Sequence, residues 1–130
     1  MKSHDGLYEH YKDYKGEWNF PNFTLKELSC KHCGEFYFDK ESIDNLQRLR
    51  ISWGKPIIIN SAHRCRVHNK NVGGTENSQH LKIAFDCVCP KAEQDLFIKT
   101  AKKIGFKGIG KYPSKNFVHL DMGQKREWNG

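Results

Sequence analysis

The stretch Gly108-Ile109-Gly110-Lys111-Tyr112-Pro113-Ser114-Lys115-Asn116-Phe117-Val118-His119-Leu120-Asp121 decides the fold class. Its two apolar runs, split by Pro113-Ser114, read as a β-hairpin-like pair. Successive strand side chains alternate between faces, so Phe117, His119 and Asp121 share one face while Val118 and Leu120 take the other. Two polar side chains side by side on a mostly apolar strand are costly unless something satisfies them. A metal with its catalytic base would do so, and so would an ion pair.

Upstream, Gly105 stops a helix over 91–104 that places Ala92, Leu96, Phe97, Ala101 and Ile104 on one face. Before it, Ala84-Phe85-Asp86-Cys87-Val88 reads as a strand, and so does Ile57-Ile58-Ile59, whose β-branched residues favour extended backbone. Asp39 is placed to cap a helix carrying Ile43, Leu46, Leu49 and Trp53, ended by Gly54 and Pro56. Thr24-Leu25-Lys26-Glu27 fits a capping box opening a shorter helix. The order helix, helix, strand, strand, helix, strand, strand predicts an α+β domain: a small antiparallel sheet with helices packed on one side. Residues 1–20, rich in Tyr, Lys and Gly, read as an N-terminal arm, and 21–130 as one domain.

The bulk numbers agree with one small domain. The chain has 130 residues, 37% hydrophobic and 12% aromatic, enough apolar surface for a core of its own. Its mean hydropathy of −0.79 implies a very polar surface. A net charge of +7 attracts polyanions without choosing among them, and no block of five Lys or Arg residues occurs. No basic and aromatic motif for nucleic acid is present, so nucleic-acid binding is not expected. The first twenty residues hold no apolar run, so neither a secretory leader nor a membrane helix is expected. The product is expected in the cytoplasm of the producing cell, without membrane insertion, until something releases it. Five cysteines, an odd number, argue against a disulfide framework. Cys30-Lys31-His32-Cys33 has the spacing of a zinc knuckle, but Cys87-Val88-Cys89 is a poor second half, so reduced thiols are expected at both.

Residues 60–78 form a long polar connection, and long ordered loops in small domains usually belong to binding sites. It leads to His80 and Asp86, which a straight strand would hold about 20 Å apart, at ~3.3 Å per residue. They can meet at one ion only if the chain reverses within Leu81-Lys82-Ile83. Two imidazoles and a carboxylate are a common ligand set for catalytic zinc, with the fourth position left to water.

The ordered motifs say more. Ser61-Ala62-His63-Arg64-Cys65, then His68-Asn69-Lys70-Asn71-Val72-Gly73-Gly74, then Ser78-Gln79-His80 and Ala84-Phe85-Asp86, resemble the family of zinc D-Ala-D-Ala peptidases, in particular the small single-domain type of phages and prophages. The family's pattern is S-G-x-R, H-N-x-x-V-G-G and S-x-H-x-x-G-x-A-x-D. Gly108 to Tyr112 and Phe117 to Asp121 look like its closing G-I-G-x-Y and F-V-H-x-D. The likeness runs from about Phe23 to Gly123. It implies a hedgehog/DD-peptidase-like fold and one zinc ion per chain held by His80, Asp86 and His119. It also implies Arg64 on a substrate carboxylate or carbonyl, with Ser61, Ser78 and Tyr112 as further substrate contacts. Asp121 is the candidate base on strand geometry; other branches put an acid three residues before the last histidine, where this chain has Asn116.

One departure stands out. Between His80 and Asp86 the turn glycine and one residue are missing, so the spacing shrinks from seven to six. Either the loop tightens and still delivers Asp86, or the site is impaired. The activity implied is metal-assisted hydrolysis of peptidoglycan stem or cross-link peptides by a monomer, as a carboxypeptidase or endopeptidase of the endolysin kind. The alternative is a non-catalytic peptidoglycan-binding module on the same fold.

Overall fold

A computed structural model describes residues 4–130. Along the chain, β1 (Gly6–Tyr8) precedes α1 (Leu25–Leu28) and β2 (Phe36–Phe38), followed by α2 (Lys40–Trp53), β3 (Ile59–Ser61) and α3 (Arg66–Asn71). Then come β4 (Phe85–Val88), α4 (Gln94–Ile104), β5 (Gly108–Tyr112), β6 (Phe117–Asp121) and β7 (Arg126–Asn129). β1 and β2 pair as a two-stranded antiparallel ribbon, and the main sheet has the order β3-β4-β6-β5-β7. All its neighbours are antiparallel except β5 and β7, which run parallel. The α+β class and the hairpin are as the sequence predicts. The parallel edge strand was not foreseen.

Local chemistry explains the elements. Thr24 and Glu27 form a reciprocal capping box, with Thr24 Oγ1 accepting from the Glu27 N–H at 3.1 Å and Glu27 Oε1 from the Thr24 N–H at 3.0 Å. α2 ends at Gly54, whose φ of 72° is open to glycine at little cost. Asp39 stands at its N-cap, but its carboxylate accepts from the Ser42 hydroxyl rather than from backbone. α4 begins at Gln94, after a 3₁₀ turn at Lys91–Glu93 that rotates the earlier positions out of register. Ala92, in that turn, is therefore exposed; within α4 the buried stripe runs through Gln94, Phe97 and Ala101, and Leu96, beside that stripe, is exposed as well. The predicted Ile57–Ile59 run starts its pairing late: β3 opens at Ile59, and Ile58 exposes its side chain.

The core lies on one face of the sheet. Phe85 and Cys87 of β4, Val118 and Leu120 of β6 and Ile109 of β5 are buried there with Ile43, Leu46 and Leu49 of α2 and Phe97 of α4. Each such side chain stabilises the fold by roughly 1.5–3 kcal/mol relative to exposure. Trp53 meets Phe97 edge to face at 5.0 Å, locking α2 against α4. The alternate residues, Asp86, His119 and Asp121, take the opposite face.

The expected N-terminal arm is not separate. Residues 1–3 lie outside the described residues, but from Gly6 the segment pairs with β2 and buries Tyr14 and Phe20 in the main core. Tyr14 packs on Phe38 at 4.7 Å, and the Trp18 indole N–H donates to the Phe23 carbonyl at 2.9 Å. Its aromatic residues are spaced without a helical or strand period, which is why the segment reads as an arm. Among the described residues no helix is long and apolar enough to cross a membrane.

Candidate functional site

Strand register builds the site as two rows across the sheet. Asp86, His119, Gly110 and Trp128 are successive partners on β4, β6, β5 and β7, and Asp121, Gly108 and Arg126 form the neighbouring row. The glycines of the G-I-G motif are what let the outer strand reach the inner one. A Cβ on Gly110 would lie 2.5 Å from Trp128 Cε2, and one on Gly108 would lie 2.1 Å from Asp121 Oδ1. Across these gaps the Trp128 ring approaches His119 at 5.1 Å, and Arg126 holds Asp121 with two bonds, at 2.9 and 3.0 Å.

The third member arrives from the long loop. His80 sits in a 3₁₀ turn, Gln79–Leu81, capped by the Ser78 hydroxyl, which accepts from the His80 N–H at 3.1 Å. The chain reverses at Lys82, where φ and ψ are both −103°. The shortened spacing therefore still delivers both groups: His80 Nε2 lies 3.2 Å from Asp86 Oδ2. His80 Nδ1 donates to the Ala62 carbonyl at 2.6 Å, which fixes the tautomer and leaves Nε2 as the free lone pair.

His119 is oriented the same way by other means. Its Nε2 faces Asp121 Oδ2 at 2.7 Å and its Nδ1 faces Asp86 Oδ1 at 2.9 Å. Asp121 is 1% exposed, and Arg126 and the Gly123 N–H also bind it. Burial alone would raise its carboxyl, but the bonds from His119, Arg126 and Gly123 hold it well below the usual carboxylate range. Burial likewise opposes the charge on Asp86, and contacts with His119 and His80 outweigh it to keep that carboxyl low. For His119, burial pulls the pKa down, while the two carboxylates together lift it above the ordinary imidazole value.

With both imidazoles neutral, His80 spends its proton on Ala62, and His119 has one proton for two carboxylates; in the tautomer that metal binding requires, it goes to Asp121. Two nitrogen lone pairs then face the Asp86 carboxylate, with nothing but acceptors between them. A cation resolves that clash, and the three donor atoms lie within 4.8 Å of one another. The donor set is that of an open zinc site.

Around it is a cleft of about 490 Å³, lined by Arg64, Ser78, Tyr112, Arg126 and Trp128 beside the three donors. Arg64 Nη2 donates to Ser78 Oγ at 3.2 Å, while its buried Nε has no protein partner. The Tyr112 hydroxyl accepts from the Trp128 indole at 2.7 Å, and its ring stacks on Phe117 at 4.3 Å. Ser61 stands opposite Asp86 in the strand register but does not line the cleft. Arg126 and Trp128 were missed by sequence reading. The signal was an alternating Arg126-Glu127-Trp128-Asn129 run after a Gly123 turn, too short to rank as a strand.

A profile of the family described as Peptidase M15 matches residues 21–121. The chain belongs to the peptidase M15 family. M15 is a zinc D-Ala-D-Ala peptidase family; membership supports peptidase activity on peptidoglycan-type substrates, and zinc dependence follows from the family. The M15 match ends at Asp121, so β7, with Arg126 and Trp128, lies beyond it. No curated protein matches the chain.

Proposed function

We propose that this M15 chain is a monomeric zinc hydrolase that cuts D-amino-acid-containing stem or cross-link peptides of peptidoglycan, in the manner of a phage-type lysis enzyme acting after release from the producing cell. The observation that carries the reading is the convergence of His80 Nε2, Asp86 and His119 Nδ1 on one point despite the shortened loop. These residues would hold one zinc ion in this site; bound there, it supplies Lewis acidity and a water of lowered pKa.

The protein's own groups do the rest. Arg64, with an unpartnered buried N–H aimed at no protein acceptor, receives a substrate carboxylate or carbonyl. Ser78 orients that guanidinium and caps the turn bearing His80. Tyr112 and Trp128 form an aromatic wall against which a peptide backbone rests. We assign Asp121 a positioning role rather than the base role that strand spacing suggests. It lies on the far nitrogen of His119 and its oxygens are taken by Arg126 and Gly123, so it holds the imidazole while the other nitrogen works.

One observation favours a second reading. Asp86 is the sole carboxylate among the cleft-lining residues, and Asn116 stands where other branches keep an acid. A module that binds peptidoglycan without cutting it needs no separate proton acceptor. Incubating zinc-loaded protein with purified peptidoglycan separates the two: release of new amino termini, abolished by His119→Ala, supports the hydrolase. Sedimentation with the wall and no new termini supports the binding module.

A further inference from the structure

Four further donors converge away from the cleft. Cys30, His32 and Cys33 come from the turn after α1, and Cys65 comes from the N-cap of α3, and their ligand atoms all lie within 4.8 Å of one another. Sequence spacing offers Cys87-Val88-Cys89 as the second half to Cys30 and Cys33, a poor one because only one residue separates its cysteines. The fold corrects the pairing. Cys87 and Cys89 belong to the apolar core, whereas Cys30 and Cys65 are buried outside it.

We propose that Cys30, His32, Cys33 and Cys65 form a structural zinc site, separate from the M15 centre. Three thiolates and an imidazole are a closed tetrahedral set with no position left for water. Zinc–sulfur bonds of about 2.3 Å put tetrahedral sulfurs ~3.8 Å apart, so the four donors need to close by less than ~1 Å.

The surroundings are those of a knuckle. The Cys30 N–H donates to the Glu35 carbonyl at 2.7 Å and the Gly34 N–H to the Cys30 carbonyl at 2.8 Å, curling the turn around the sulfur. Gly34 has φ +82°, and a Cβ there would lie 2.6 Å from the His10 ring, so only glycine closes this turn. Backbone N–H groups face the sulfurs, from Cys65 to Cys30 Sγ at 3.4 Å and from His68 to Cys65 Sγ at 3.3 Å. Such donors offset thiolate charge around a bound metal. The His32 ring lies parallel to His68 and turns Nδ1 to within 3.6 Å of Cys65 Sγ. A disulfide between any two of these cysteines would leave the third sulfur and the imidazole unexplained.

The site also has a task. Cys65 directly follows Arg64, whose N–H donates to the His80 carbonyl at 2.7 Å, and the His63 N–H donates to the Leu28 carbonyl at 3.2 Å. An ion here ties the α1 turn to the start of the long loop that carries Arg64 and His80, and so holds an otherwise polar segment in place.

Metal content of the full chain, purified with zinc present, tests this with the variants His119→Ala, Cys33→Ser and the core control Cys89→Ala. We expect about two zinc ions in the wild type and the control, and about one in each of the other two, if both sites are zinc sites. Cobalt-loaded His119→Ala should still show a thiolate-to-cobalt charge-transfer band in the near ultraviolet. That measurement decides the matter even if Cys33→Ser does not fold. Where it folds, Cys33→Ser should melt at least ~5 °C lower. One zinc lost in Cys33→Ser and kept in His119→Ala supports this site while sinking the M15 centre. One zinc kept in Cys33→Ser and lost in His119→Ala, or no charge-transfer band, overturns the proposal.

Discussion

The two donor clusters of this molecule are built by opposite means. His80, Asp86 and His119 lie mainly on the polar face of a rigid sheet, and each imidazole is turned by a partner on its far nitrogen, Ala62 or Asp121. Cys30, His32, Cys33 and Cys65 lie on turns or at a helix cap, with backbone N–H groups facing the sulfurs of Cys30 and Cys65. The first set has three donors and opens into a cleft of about 490 Å³; the second has four, and Cys30, His32 and Cys33 stand on the wall of another cleft of about 630 Å³. Donor number and support are what distinguish a reactive metal site from a structural one: three donors keep a coordination position free, and four fill it.

The comparison breaks most visibly at His119. His119→Ala should abolish peptidase turnover and the zinc of the open site while leaving the fold intact by circular dichroism. Retained turnover would refute the assignment. Asp121→Asn comes next. It keeps the shape but weakens the hold on His119, and a loss of roughly 10–100-fold in zinc affinity or activity is expected, read by competition with a chelator. An unchanged affinity would mean that Asp121 does not position the imidazole.

Gly108→Ala tests whether the glycines of β5 are spacers. The new methyl meets the Asp121 carboxylate and Arg126, so a loss of about 1–3 kcal/mol is expected in urea unfolding, together with loosened zinc binding. A silent substitution would remove the argument that β7 must reach across β5.

The pH dependence sharpens the contrast with a static staple. Without metal, the raised pKa of His119 adds stability that is present below the unfolded imidazole value and lost as pH rises through the folded one. The depressed carboxyls of Asp86 and Asp121 add stability that is present above the ordinary carboxylate value and lost as pH falls through their folded values. Metal-free protein should therefore melt highest in weak acid, above the carboxylate range and below the His119 titration. Zinc must displace the His119 proton, so affinity at the open site should fall about tenfold per pH unit below that titration. Calorimetric scans across pH, with and without zinc, check both signs. The smallest effect is expected at Thr24→Ala, a loss of about 1 kcal/mol from the capping box that opens α1, ahead of the cysteine turn.

Much of the fold is legible because it is local. The capping box at Thr24, the glycine stop at Gly54 and the hairpin over 108–121 each depend on residues a few positions apart. The N-terminal segment reads as an arm because Tyr14 and Phe20 are buried by partners such as Phe36 and Phe38, far along the chain. The Arg126–Asn129 strand is invisible for a similar reason: its two working side chains acquire meaning only across the gaps left by Gly108 and Gly110.

By itself the sequence determined the class of fold, the strand alternation that sets His119 and Asp121 on one face, and the motifs that mark an M15 peptidase. All of these are short-range patterns, readable because strand and helix periods are properties of the backbone. Tertiary structure decided the rest. It showed that a six-residue step still brings His80 to Asp86, that Asp121 grips the far nitrogen of His119, and that Cys65 rather than Cys87 completes the cysteine cluster. Each of these depends on where the chain turns back on itself, and spacing along a sequence carries no record of that.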